Sequence, residues 1–266
     1  MTQAIRLAIN GASGRMGQAL LDLVRVDRRF ELVHVVVSPG SEHDGVPVSG
    51  ASSLRYAHDW QAAPAMDVVI DFSGPAGLAA ALDHCHAHGI ALVTGTTGID
   101  AALTERLASI SQRLPLLRAA NFSLGVAVLT RLLREASAAL SDWDLEIVEA
   151  HHGRKVDAPS GTALALGEAA AAARGTTLAQ AAVYTREGNT GARQSGTIGF
   201  ATVRGGDIVG EHQAMLIGQG ERVELGHRAT DRSIFARGAL EAAHWLAGKA
   251  AGAYDLDAML AERIVR

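Results

Sequence analysis

Gly11-Ala12-Ser13-Gly14-Arg15-Met16-Gly17 sits directly between a short apolar strand, Ile5-Arg6-Leu7-Ala8-Ile9, and an amphipathic helix over about 15–26. No other feature limits the possible folds as strongly. A strand that ends in glycines and restarts as a helix gathers backbone N–H groups and the positive end of a helix dipole at one point. That is where a dinucleotide pyrophosphate docks on an α/β sheet. The spacing is G-x-x-G-x-x-G rather than G-x-G-x-x-G, with Ser13 in the place of the usual middle glycine. The strand–loop–helix context, more than the glycines alone, carries the nucleotide-binding reading.

The pattern that follows extends this beginning. Strands are expected over 32–37, 68–72, 90–94 and 116–118, with helices over 76–88, ending at Gly89, and 101–111. Strands that alternate with helices imply a parallel sheet with right-handed crossovers, here a Rossmann-type, doubly wound α/β fold. After about Ser123 the texture changes. A long helix over 124–140, an alternating strand over 145–149 and an alanine-rich helix over 163–173 precede a run of β-segments. Those segments are 184–185, 198–203, 211–217 and 222–225. Consecutive strands joined by glycine turns suggest an antiparallel or mixed sheet in a second, α+β domain. A last helix is expected over 234–246.

Composition excludes several classes. The net charge of −4 argues against a nucleic-acid binder. Cys85 is the single cysteine, so no intramolecular disulfide forms and a reducing, cytoplasmic setting fits. No run of about 18 apolar residues suggests a membrane span.

The second strand of such a fold normally ends in an acid that holds the adenosine ribose of NAD. Val37-Ser38-Pro39-Gly40 stands there instead, with neither an acid to favour NADH nor an arginine to favour NADPH. Loss of the acid removes repulsion of a 2′-phosphate, and Ser38 can donate to one. The balance tips toward NADPH, with NADH also admitted.

The densest chemistry lies in Glu149-Ala150-His151-His152-Gly153-Arg154-Lys155-Val156-Asp157-Ala158-Pro159-Ser160-Gly161-Thr162, between a strand and a helix. Two imidazoles, a guanidinium and an ammonium in five positions suit an anionic substrate. His151 or His152 can exchange a proton near neutral pH. Lys155 is a candidate proton donor, with neighbouring cations expected to depress its pKa. Ser160-Gly161-Thr162 opens a helix, where hydroxyls and free N–H groups would cradle a carboxylate. A metal reading of His151, His152 and Asp157 fits no common zinc spacing.

The motif E-A-H-H-x-x-K-x-D-A-P-S-G-T-A, at 149–163, resembles the signature of the 4-hydroxy-tetrahydrodipicolinate (dihydrodipicolinate) reductases of lysine biosynthesis by the diaminopimelate route. The likeness runs through nearly the whole chain: 11–17, Asp71-Phe72-Ser73, Gly95-Thr96-Thr97-Gly98, Ala119-Ala120-Asn121-Phe122-Ser123 and 196–201. It implies a homotetrameric enzyme that passes hydride from NAD(P)H to C4 of hydroxy-tetrahydrodipicolinate, with loss of water. By the same resemblance His151 and Lys155 are catalytic, and His152, Gly161 and Thr162 bind the substrate carboxylates. Gly11, Ala12, Ser13, Gly14, Arg15, Met16, Gly95, Thr96, Thr97, Ala119, Ala120, Asn121 and Phe122 contact the cofactor. The implied domains are 1–122 plus 232–266 for the dinucleotide, and 123–231 for substrate binding and oligomerisation through its sheet. Another nicotinamide-dependent dehydrogenase, or a non-catalytic nucleotide sensor, are the competing readings.

Other clusters carry less. His84-Cys85-His86-Ala87-His88 reads as a solvated helix end before a capping glycine, since only His84 and His88 share a helical face. Trp60, Trp143 and Trp245 read as packing anchors, and Arg113, Arg131 and Arg134 as surface charges.

Overall fold

The computed structural model describes residues 3–264. In chain order the elements are β1 (Ile5–Asn10), α1 (Arg15–Val24), β2 (Phe30–Val36), β3 (Pro47–Val48), β4 (Ala51–Arg55), β5 (Val68–Asp71), α2 (Pro75–His88), β6 (Ala91–Thr94), α3 (Ala101–Ile110) and β7 (Pro115–Arg118). Then come α4 (Leu124–Ala139), β8 (Asp144–His151), α5 (Gly161–Ala173), α6 (Leu178–Ala181), β9 (Ala182–Val183), β10 (Ile198–Arg204), β11 (Gly210–Ile217) and β12 (Arg222–Ala229). The chain closes with α7 (Ser233–Leu246), β13 (Gly252–Tyr254) and α8 (Leu256–Ile264). Two compact units result, Met1–Phe122 with Ser233–Arg266, and Ser123–Arg232. Arg232, expected to open the returning segment, belongs to the second unit.

The first unit is a six-stranded parallel sheet in the order β13-β7-β6-β5-β1-β2. Its central strands are apolar over their inner positions, and Leu7, Ala8, Ile9, Val68, Val69 and Ile70 have no exposed surface. Such runs require cover on both faces of the sheet. Leu78, Leu82 and Cys85 of α2 and Leu103 and Leu107 of α3 join Ala8, Val69 and Leu92 in one core cluster. Gly17 lets α1 lie against the loop before it, because a Cβ there would overlap the backbone of Gly11 and Ala12. The hairpin of β3 and β4, the edge strand β13 and helix α8 go beyond the sequence expectation. The two-residue and three-residue strands are too short to show a period.

The second unit is a five-stranded mixed sheet, β12-β11-β8-β10-β9. Its pairs β8–β10 and β9–β10 are parallel, and β8–β11 and β11–β12 antiparallel. Leu145 and Ile147, Ile198 and Phe200, and Ala214 and Leu216 face one side and pack on α4 and α5. The expected strand at Tyr184-Thr185 is not formed. β9 stops at Val183, and Tyr184 instead stacks its ring on Phe200 at 5.3 Å. No helix among the described residues is long and apolar enough to cross a membrane.

Candidate functional site

In the first unit the glycine loop connects β1 to α1 as expected. Gly11 has φ +79°, and a Cβ there would stand 2.5 Å from the Phe72 carbonyl oxygen, so only glycine fits. The N–H groups of Gly11 and Ala12 donate to the Val36 carbonyl (3.0 and 2.9 Å), and that of Gly14 to Gly11 (3.0 Å). The donors left for phosphates are therefore those of Ser13 and of the first helical turn, around Arg15 and Met16. No side chain caps that end of α1, since Gly14 occupies the N-cap. A glycine cradle below an uncapped helix N-terminus fits a pyrophosphate. Ser13 sits in the loop beside Ala12, and Arg15 and Ser38 are exposed, Ser38 just past the end of β2.

One buried carboxylate organises the loops around this cradle. Asp71, at the end of β5, has no exposed surface. Its Oδ1 accepts from Asn10 Nδ2 (2.7 Å) and Ser73 Oγ (2.5 Å), and its Oδ2 from Thr94 Oγ1 and Thr96 Oγ1 (2.7 Å each). Three strand ends, β1, β5 and β6, are thereby fixed to one group without a cation. Thr96 was expected to touch the cofactor, but its hydroxyl is committed to Asp71 and its N–H to Thr94 Oγ1 (3.2 Å). These two bonds anchor the loop, while Thr97 beside it is exposed. A Cβ on Gly95 would overlap the Phe72 ring. The ring of Phe122 is buried and lies edge-on to Phe72 at 5.3 Å, so of the stretch Ala119-Ala120-Asn121-Phe122 this side chain packs rather than lining open surface. His84 departs from a solvated helix end: it stacks on Trp60 at 4.8 Å.

In the second unit the alternation of β8 places Glu149 and His151 in phase with the buried Leu145 and Ile147. The same phase brings Thr202 and Arg204 of β10, and His212 of β11, to that end of the core face. Glu149 is 1% exposed. It accepts from His151 Nδ1 (2.6 Å), from both terminal nitrogens of Arg204 (2.7 Å each) and from the Ser160 N–H (2.9 Å). Burial pushes its carboxyl up, but Arg204, His151 and the Ser160 amide outweigh burial and hold it at about 2. Glu149 is thus an anion that fixes the His151 proton on Nδ1 and leaves Nε2 as the working nitrogen. A side chain at Gly210 would put its Cβ 3.1 Å from that Nε2, so the glycine keeps it uncovered.

Ser160 was expected to offer its hydroxyl to substrate. It is instead buried, accepts from Ala163 N–H (3.2 Å) as the N-cap of α5, and bonds His212 Nε2 (3.1 Å). Burial first, then His151, pushes His212 down to about 4, so it stays neutral. Gly161 faces open space, and Thr162 follows it in the first turn of α5. His152 is lowered by desolvation and then by Arg232 and Arg154, and its Nδ1 finds no hydrogen-bond partner among the described residues. Lys155 is not in a purely cationic neighbourhood: its Nζ lies 2.9 Å from Asp157 Oδ1. Cys85 is fully buried, and burial pushes its thiol far up, which leaves it inert.

Residues 5–122 match the model for the N-terminus of dihydrodipicolinate reductase, and residues 125–260 that for its C-terminus. The chain belongs to the dihydrodipicolinate reductase family. It is 47% identical over 259 residues to the 4-hydroxy-tetrahydrodipicolinate reductase of Thiobacillus denitrificans, covering 95% of this chain and 97% of the relative. It is 49% identical over 263 residues to that of Cereibacter sphaeroides, covering 94% and 96%. A solved dipicolinate-bound dihydrodipicolinate reductase from Paenisporosarcina sp. TG-14 shares the fold, with a TM-score of 0.79 over 95% of this chain and 98% of the other, at 22% identity.

Sequence reasoning placed Glu149 and Asp71 in its motifs without giving them a role, and missed Arg204 and His212. For Glu149 and His212 a signal was present, because each falls where its strand's alternation demands an apolar residue.

Proposed function

We propose that the chain reduces 4-hydroxy-tetrahydrodipicolinate to tetrahydrodipicolinate in lysine biosynthesis, with His151 and Lys155 as the proton-handling groups. The observation that carries this reading is the Glu149–His151 pair, at 2.6 Å, beside the N-terminus of α5. NADPH or NADH supplies the hydride at C4 when bound. Hydride and one proton enter, and the C4 hydroxyl leaves as water.

This chain's residues do the rest. His151, held through Nδ1, presents Nε2 to give or take a proton near the ring. Lys155 delivers the proton that balances the hydride. His152, whose Nδ1 is unpaired, joins Gly161 and Thr162 at the start of α5 to hold the substrate carboxylates. Arg154 and Arg232 keep this region positive and favour a dianion. In the first unit the glycine cradle, Ser38, Gly95, Thr97 and Ala119 to Asn121 line the way for the dinucleotide, and Asp71 fixes their loops.

A homotetramer built through the mixed sheet belongs to the same proposal. Helices α4 and α5 pack on the face bearing Leu145 and Ile147. The opposite face exposes Ala201 and Val203 and suits a second copy. The buried single thiol fits the cytoplasm.

Steady-state kinetics test the roles. His151→Ala and Lys155→Ala should each lower kcat by about 10²- to 10⁴-fold. Thr162→Val should raise KM for the dicarboxylate with kcat largely kept. Full turnover in Lys155→Ala rules out its role as proton donor.

A further inference from the structure

A cavity of about 420 Å³ opens in the first unit beside the glycine loop, where the adenosine half of a dinucleotide lies in such a sheet. Asn10, Gly11, Ser38, His58, Asp59 and Trp60 are among its walls, and no lysine or arginine lines it. The segment that brings in His58 and Asp59 is tied to the edge of β2. Val37 N–H donates to the Ala57 carbonyl (2.8 Å) and Ala57 N–H to the Val35 carbonyl (2.9 Å). Residues 57–59 therefore run parallel to the end of β2 and reach the level of Ser38.

His58 is flanked by two acids. Its Nδ1 lies 2.7 Å from Asp44 Oδ2 and its Nε2 3.5 Å from Asp59 Oδ2. Whether the imidazole is neutral or protonated, the trio carries net negative charge. The acid that Ser38 fails to provide at the end of β2 is supplied from a neighbouring segment.

We infer that Asp44 and Asp59, bridged by His58, select NADH over NADPH by opposing the 2′-phosphate. This rests on the dinucleotide reading of the glycine loop, and it reverses the balance that Ser38 alone tips toward NADPH. A dianionic phosphate brought to a net negative, half-exposed cluster with no lysine or arginine in the cavity wall loses affinity by about tenfold, more in low salt than in high. The ribose 2′-hydroxyl of NADH meets acceptors instead.

Binding, measured by fluorescence titration of NADH and NADPH without substrate, tests this apart from turnover. The wild-type protein should bind NADH about tenfold more tightly in low salt, with the ratio shrinking as salt rises. Asp44→Asn with Asp59→Asn should bring the ratio toward one by strengthening NADPH, and Ser38→Arg should do so with the acids intact. Equal or tighter binding of NADPH by the wild type overturns the inference and leaves the reductase reading standing. So does a selective loss of NADPH affinity in Arg15→Ala, which would mean that Arg15 receives the phosphate. If the double variant does not fold, the salt dependence of the wild-type ratio still decides. Failure to bind either dinucleotide overturns both this inference and the reading beneath it.

Discussion

Each unit buries one carboxylate at the ends of its central strands, and the two are held in opposite ways. Asp71 in the parallel sheet is satisfied by neutral donors from Asn10, Ser73, Thr94 and Thr96. Glu149 in the mixed sheet is satisfied by a guanidinium, an imidazole and a backbone N–H. A carboxylate ringed by hydroxyls and an amide fixes loops. One that grips a histidine and an arginine also sets where the histidine carries its proton. The difference separates a rigid frame for a nucleotide from a tuned acid–base site.

Substitution should expose that contrast most strongly at Glu149. Glu149→Leu leaves the partly buried Arg204 and the buried Ser160 N–H without their acceptor, a loss of about 2–3 kcal/mol in stability by denaturant unfolding, with activity abolished. The near-isosteric Glu149→Gln sharpens the comparison. It should lower kcat by at least about tenfold and shift the pH–rate profile, because the His151 proton is no longer held by an anion. Asp71→Asn should be tolerated to about 1–2 kcal/mol, since the threonine hydroxyls can turn to accept from the new amide. It should weaken dinucleotide binding without moving the pH profile. Equal shifts of the profile in both variants would erase the distinction.

Acid titration probes the second unit in two steps. His212 has its folded pKa lowered to about 4 and Glu149 its own to about 2. In both cases the unfolded chain binds more protons over the affected range, so stability rises with pH. As pH falls, the His212 contribution is lost first, between about 6.5 and 4, and is about 3 kcal/mol when complete. The Glu149 contribution is lost between about 4.5 and 2 and is of similar size. Urea midpoints measured against pH should show both losses, and His212→Gln should remove only the first. The smallest effect concerns Cys85, which should resist thiol reagents in the native protein and react at once on unfolding.

Much of this was legible in the sequence, and the gaps have physical causes. The parallel sheet could be read because 68–70 and 91–93 are buried on both faces and so are apolar at every position, the polar Asp71 and Thr94 coming only at the strand ends. The glycine loop could be read because Gly11 and Gly17 answer a steric demand that no other residue meets. The Asp71 hub could not, because its partners come from positions 10, 73, 94 and 96 and meet only once three strands are aligned. Arg204 lies 55 residues from the Glu149 it pairs with, and only the parallel register of β8 with β10 brings them together. Ser160 was read as a ligand because an N-cap and a carboxylate cradle look alike until the hydroxyl's direction is known. The acids beside Ser38 were hidden for a similar reason, since residues 57–59 join the end of β2 by bridging rather than by sequence.

The most direct test is a coupled assay. Pyruvate and aspartate semialdehyde are supplied with the synthase that condenses them, and loss of NADH or NADPH absorbance is followed with and without this protein. Oxidation that depends on the protein, and that falls to background in Lys155→Ala, is the predicted result. Absence of oxidation with either dinucleotide, in a protein shown to bind one of them, would contradict the reductase assignment.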